Sequence, residues 1–163
     1  MKRKALAITL AAAMAMGTCA VTASAADGDK YTIGICQLVQ HEALDAATQG
    51  FKDEVTKELG EDAVTFDEQN AQGDSNTCST IINSFVSNNV DLILANATPA
   101  LQAAAAGTSD IPILGTSVTE YGVALGLDDF DGTVGGNISG TADLAPLISR
   151  QQCSMNFSRM QKM

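Results

Sequence analysis

An α/β lobe with a parallel sheet and helices on both faces is the fold this sequence predicts, on three observations. From Tyr31 onward, short β-rich runs alternate with helical periods, the pattern of successive βαβ units. Two of those runs, 31–38 and 90–95, read as strands covered on both faces, the second nearly continuous in apolar residues. The chain has 163 residues, 45% of them apolar, enough for one packed domain and hardly two.

The elements follow in order. Residues 31–38 read as a first strand buried on both sides. Leu44, Ala47, Phe51, Val55 and Leu59 then recur at steps of three and four, an amphipathic helix that stops at Gly60. Val64 and Phe66 mark a second short strand. Gly73, Asp74 and Ser75 supply a turn and a helix N-cap. Behind them Cys78, Ile81, Ile82, Phe85 and Val86 form the inward stripe of a second helix. Residues 90–95 are a third strand. Thr98 is the expected N-cap of a third helix, with Pro99 at its first position, where a missing N–H matters least. The alanines at 103–106 form its body. Residues 111–114 are a fourth strand, followed by a loop over 116–121 and by Gly- and Asp-rich chain at 126–140 with only weak strand signals. The expected order is β-α-β-α-β-α-β in one three-layer lobe with right-handed crossovers.

The first 25 residues read as an export signal. Lys2, Arg3 and Lys4 form the basic region, residues 5–16 the apolar one, and Ala23-Ser24-Ala25 the cleavage site, so the mature chain is expected to begin near Ala26. That apolar run is too short to cross ~30 Å of hydrocarbon. Cys19 raises a lipid anchor as the alternative, but Thr18 precedes it where Gly, Ala or Ser is usual, so export without an anchor is expected. After the signal come six basic and nineteen acidic residues, a net charge of −13. A polyanion would be repelled, which excludes nucleic acid as a partner. Cys36, Cys78 and Cys153 remain, with no CxxC spacing, and define no disulfide framework or metal site. Cys36 and Cys78 read as buried small apolar residues.

Open parallel sheets bind ligands in the crevice outside the carboxyl ends of their strands. Four loops are expected there: 37–41, 70–74, 96–100 and 116–120. They are rich in amides and hydroxyls, which fix a small polar solute, and the N–H groups after Thr98 could hold a carboxylate. His41, the single histidine, is open to two roles, a ligand donor or a helix cap. Asp67-Glu68 and Asp128-Asp129 are paired carboxylates. Adjacent strand residues point to opposite faces, so the first pair cannot converge on one bond, and the second lies in a loop. No GxSxG, no Cys–His pairing and no GxxxxGK[ST] loop is present, so no enzymatic site and no cofactor is expected.

Six stretches carry a family resemblance: YTIGICQLVQH at 31–41, LDAATQGF at 44–51, NAQGD at 70–74, VDLILANATP at 90–99, DIPIL at 110–114 and GGNISGTADLAP at 135–146. Together they resemble the ABC-transporter substrate-binding proteins of tryptophan and tyrosine type. The resemblance implies a periplasmic-binding-protein type I-like fold of two Rossmann-like lobes, of which residues 26–147 would be the first. It implies a monomer that takes a small solute, often an aromatic amino acid, and delivers it to a membrane permease. Carried over by motif, first-lobe ligand contacts would come from Gln37, Gln40, His41, Thr98, Ser117 and Thr119, with Asp143 near the crossover. Glu42 and Glu120-Tyr121 depart from the family pattern, so the solute itself is not carried over. A ligand-sensing module or a nonfunctional fragment are the alternative readings.

Composition changes abruptly near Leu147. Residues 26–148 hold three basic residues and all nineteen acids, whereas 149–163 hold three basic residues, three methionines and no acid. Codons for residues 148–163, preceded by one extra G, can be read as Asp-Gln-Gln-Ala-Ala-Met-Leu-Asn-Glu-Leu-Phe-Pro-Asp-Ala-Lys-Asn, an amphipathic helix of the kind the family places next. A single-nucleotide loss after the Leu147 codon is therefore expected, with 148–163 an out-of-frame tail.

Overall fold

A computed structural model describes residues 30–143. The predicted signal at 1–25 and the tail at 148–163 lie outside them. The elements are β1 (Tyr31–Gln37), α1 (Glu42–Leu59), β2 (Val64–Asn70), α2 (Ser75–Ser87), β3 (Leu92–Asn96), α3 (Thr98–Gly107), β4 (Ile113–Val118), α4 (Tyr121–Leu125) and β5 (Ile138–Ala142), with a single 3-10 turn, Glu61–Ala63, before β2. All five strands pair in parallel in the order β2-β1-β3-β4-β5. The α/β class and the parallel sheet are as expected from the sequence.

The sheet is covered on both faces by different means. On one face α1 alone brings Phe51 and Val55 down on Ile33, Ile35, Leu94 and their neighbours. On the other, α2, α3 and α4 bury Cys78, Ile81, Ile82, Phe85, Leu101 and Ala104 against Cys36, Ile93, Ala95 and Ile113. The inward stripe predicted for α2 is the observed one, except that Val86 stays half-exposed. α2 crosses β1 closely because Gly34 has no side chain; a Cβ there would meet the Phe85 ring at 2.7 Å. Burial pushes the Cys36 thiol far above its ordinary value, the neighbouring Cys78 thiol adding to the shift, and burial raises Cys78 as well.

Several boundaries differ from expectation. β2 runs through Asn70 instead of ending near Phe66, and β3 covers 92–96 instead of 90–95. β4 extends to Val118, so half of the loop expected at 116–121 is strand, and only Thr119 and Glu120 separate it from α4. Neither α4 nor β5 was expected. α4 is a five-residue helix capped by Glu120, whose carboxylate accepts from the Gly122 and Val123 N–H groups, and it ends at Gly126 with φ 64. β5 is mostly exposed and owes its conformation to pairing with β4. Thr98 is not the cap of α3: that position is Ala97, with Thr98 the first helical residue and Pro99 the second.

Candidate ligand-binding site

The strands end together, and so do the loops that follow them. In register across four strands lie Asn70, Gln37, Asn96 and Thr116, a polar row closing the apolar sheet on the α1 side. The chain leaves β1 for α1 on one face and β3 for α3 on the other, which makes the β1/β3 boundary the topological switch point where open sheets leave a crevice. The loop after β1 carries Gln40 and His41 there, and the start of α3 carries Thr98. Ser117 lies near the end of β4, Thr119 just after it, and Asp143 directly after β5, its N–H donating to the Val118 carbonyl at 3.0 Å. With strands ~4.8 Å apart, β1 to β5 spans about 14 Å, room for one small solute.

Gln40, His41, Thr119 and Asp143 are exposed, and Thr98 and Ser117 half-buried. Gln37 is different. It is 4% exposed and turns toward α1. Its Nε2 donates to Asp45 Oδ1 at 2.6 Å and to the Val39 carbonyl at 3.0 Å, and its Oε1 accepts from the Thr48 hydroxyl at 2.7 Å. Asn96, wholly buried, donates to the Leu44 carbonyl at 2.8 Å and to Thr48 Oγ1 at 2.9 Å. Among the described residues its Oδ1 has no partner. This network ties the first turns of α1 to the sheet and so positions His41, which is the α1 N-cap; its Nδ1 accepts from the Ala43 N–H at 3.2 Å and leaves Nε2 uncommitted. Capping and ligand contact are therefore compatible at His41.

The helix starts are treated unequally. His41, Asp74 and Glu120 cap α1, α2 and α4 with side-chain acceptors, whereas α3 has none, and Pro99 removes one of its N–H groups. Its cap, Ala97, has φ 93 and ψ 157, a region nearly confined to glycine that costs ~1–3 kcal/mol. The cause is a connection of one residue: β3 ends at Asn96 and α3 begins at Thr98. Gln72 and Ser117 also have left-handed φ, both 56. Among the described residues, three of the five non-glycine residues with positive φ thus sit at this crest, and the other two, Asn89 and Asp129, are types that tolerate it. Strain of this kind concentrates where a ligand is held.

The paired carboxylates do not converge. Glu68 pairs with Lys52 at 2.8 Å, while Asp67 accepts from Gln69 Nε2 at 3.0 Å. Asn96, Thr48 and Ala97 were not picked out from the sequence. Thr48 carried a signal, a polar residue four after Leu44 on the apolar stripe, and Asn96 another, an amide ending an apolar run. Nothing in the residue type of Ala97 announced its φ.

The sheet is thus open, parallel and singly switched, with a polar crest at which α3 alone of the four described α-helices lacks a side-chain cap. The chain belongs to the family of ABC transporter substrate binding proteins, whose profile matches residues 32–154. It is 46% identical over 115 residues to a tyrosine-binding protein of Clostridioides difficile strain R20291, covering 68% of this chain and 32% of that one. A ligand-free, open substrate-binding protein with adhesive properties from Clostridium difficile superposes with a TM-score of 0.66 at 43% identity, over 72% of this chain and 40% of that one. A Streptococcus pneumoniae domain solved in complex with L-Trp gives 0.65 at 32% identity, over 71% and 39%. The chain thus spans about a third to two fifths of the length of these relatives, and its fold is that of a periplasmic binding protein of type I-like architecture. No helix among the described residues is long and apolar enough to cross a membrane.

Proposed function

We propose that the chain is the first lobe of an extracytoplasmic receptor that hands an amino acid of aromatic type to an ABC importer, its crest forming half of the cleft. The observation that carries this is the unguarded start of α3: a helix N-terminus with no side-chain acceptor, behind a strained Ala97, at the switch point of the sheet. Such an end carries unpaired N–H groups and a partial positive charge, suited to a carboxylate. Gln40 and His41 flank it from β1, Ser117 and Thr119 from β4, and Asp143 adds an anionic group at the far side. The names of the relatives, one tyrosine-binding and one holding L-Trp, support the solute class. Gln37 enters as a positioning residue behind His41.

One lobe offers only one wall of a cleft, so residues 26–147 by themselves are expected to give no calorimetric heat with L-tyrosine or L-tryptophan. The frame-restored product, with one G inserted after the Leu147 codon, is expected to bind one of them at micromolar concentration. Binding of equal strength by both, or by neither, would sink the two-lobe reading. Sequencing the locus from the Pro146 codon tests the frame itself. Export is checked by the N-terminus of the secreted product, expected at Ala26.

A further inference from the structure

Cys36 and Cys78 take no part in the proposed cleft, yet the fold brings them together. Cys36 lies on β1 and Cys78 in the first turn of α2, about 40 residues on, and both are wholly buried. The meeting follows from the close crossing at Gly34, on which the Phe85 ring rests. From that point α2 runs back toward the crest by ~10 Å over seven residues, and β1 runs the same way by ~7 Å over two. Cys78 therefore arrives over Cys36, and the side chains meet thiol to thiol in one cluster. Packing alone would be served by two alanines or an alanine and a valine. Both are free thiols in the structure, and two thiols in contact, in a chain read as exported, are positioned for a bond.

We propose that Cys36 and Cys78 form a disulfide that staples the start of α2 to β1 beneath the crest. This rests on the export reading only for where the oxidant comes from, which is a dithiol–disulfide exchanger or a small disulfide of the oxidising compartment. One cysteine thiolate attacks a sulfur of the oxidant and releases a thiolate. The second attacks the mixed disulfide and releases the other. Both cysteine protons pass to the leaving thiolates, so the cysteines lose two electrons and the oxidant is reduced to two thiols. Because both sulfurs are buried in the folded lobe, the exchange takes place before α2 docks, and the finished bond is then sheltered from reductant.

The test is refolding of the purified full chain in a mixture of oxidised and reduced glutathione, followed by acid quenching, alkylation in denaturant, digestion and mass spectrometry. Cys19 and Cys153 stay in place as competitors. The expected result is a linked peptide pair containing Cys36 and Cys78, two hydrogens lighter than the free peptides. Its exchange constant in buffer should exceed that in denaturing guanidinium chloride by roughly thirty- to a thousandfold. Separately alkylated Cys36 and Cys78, a mixture of pairings, or equal constants in the two solvents would each overturn the proposal. Because the exchange is run on purified protein, failure of the export reading cannot produce any of these results. A second readout is the urea midpoint, expected to be higher for the oxidised than for the reduced chain and unchanged by oxidant in a Cys78→Ala variant.

Discussion

Two rows of the same sheet, two residues apart and under the same helix, are built on opposite rules. Ile35 and Leu94 pair across β1 and β3 and are sealed beneath α1 by apolar contact. One step further along, Gln37 and Asn96 pair in the same way, are as deeply buried, and meet α1 through Asp45, Thr48 and the Leu44 carbonyl. The first row needs only a matching volume. The second needs a partner for every polar atom, and one, Asn96 Oδ1, has none among the described residues. The contrast places the ordered, strain-bearing part of the lobe at its crest and the bulk of its cohesion below. The exposed amides and hydroxyls of the crest, the proposed binding surface, thus stand on a buried polar layer of their own kind.

The comparison can be broken most forcefully in the apolar row. Ile35→Ala should cost about 3–4 kcal/mol, read as a drop in the urea midpoint, because it leaves a cavity under Phe51 and Val55. Asn96→Ala should cost about 2–3 kcal/mol by removing the buried donor to Thr48 Oγ1 and to the Leu44 carbonyl. Replacing Gln37, Thr48 and Asn96 together with apolar residues should recover much of that loss while weakening solute binding in the frame-restored protein. If it left binding intact, the positioning role assigned to Gln37 would be wrong.

Alkaline pH acts on the other face. The Cys36 and Cys78 thiols and the Tyr121 phenol are all raised, burial being the first cause in each, so the fold favours their neutral forms. Their contribution is fully present below the ordinary values of 9.0 and 10.0 and is lost as pH rises beyond them. For the reduced chain the urea midpoint should be level from pH 6 to about 8 and fall above about 9. A double Cys36→Ala, Cys78→Ala variant should fall less steeply between 9 and 10.

The crest gives a change of opposite sign. Ala97→Gly should raise stability by about 1 kcal/mol, since relief of the strained φ exceeds glycine's added backbone entropy, and a loss instead would mean that this conformation carries no strain. The smallest effect is expected for Lys52→Ala, within about 1 kcal/mol in the same denaturation experiment. Its bond to Glu68 and its place 5.6 Å over the Phe66 ring are both partly solvated.

From the sequence alone came the α/β class, the parallel sheet, the positions of α1, α2 and α3, and the loops after β1 and β2, but not the single-residue connection after β3 or the strand at 116–118. The former are legible because periodicity, caps and turn residues act within a few residues of one another. Gly60 ends α1 and Asp74 starts α2 wherever those helices pack. The tertiary structure decided the rest. β5, with the sequence ISGTA, has no burial pattern of its own and becomes a strand only against β4. Of the two glutamines expected at the first crest loop, Gln40 is exposed and Gln37 is inside, because position 37 still belongs to β1 and shares a face with Ile33 and Ile35. Ala97 is strained because β3 and α3 leave a single residue between them, and Cys36 meets Cys78 because a glycine two residues earlier lets α2 come down on β1. Each of these depends on which element lies opposite, a fact that no local stretch of chain contains.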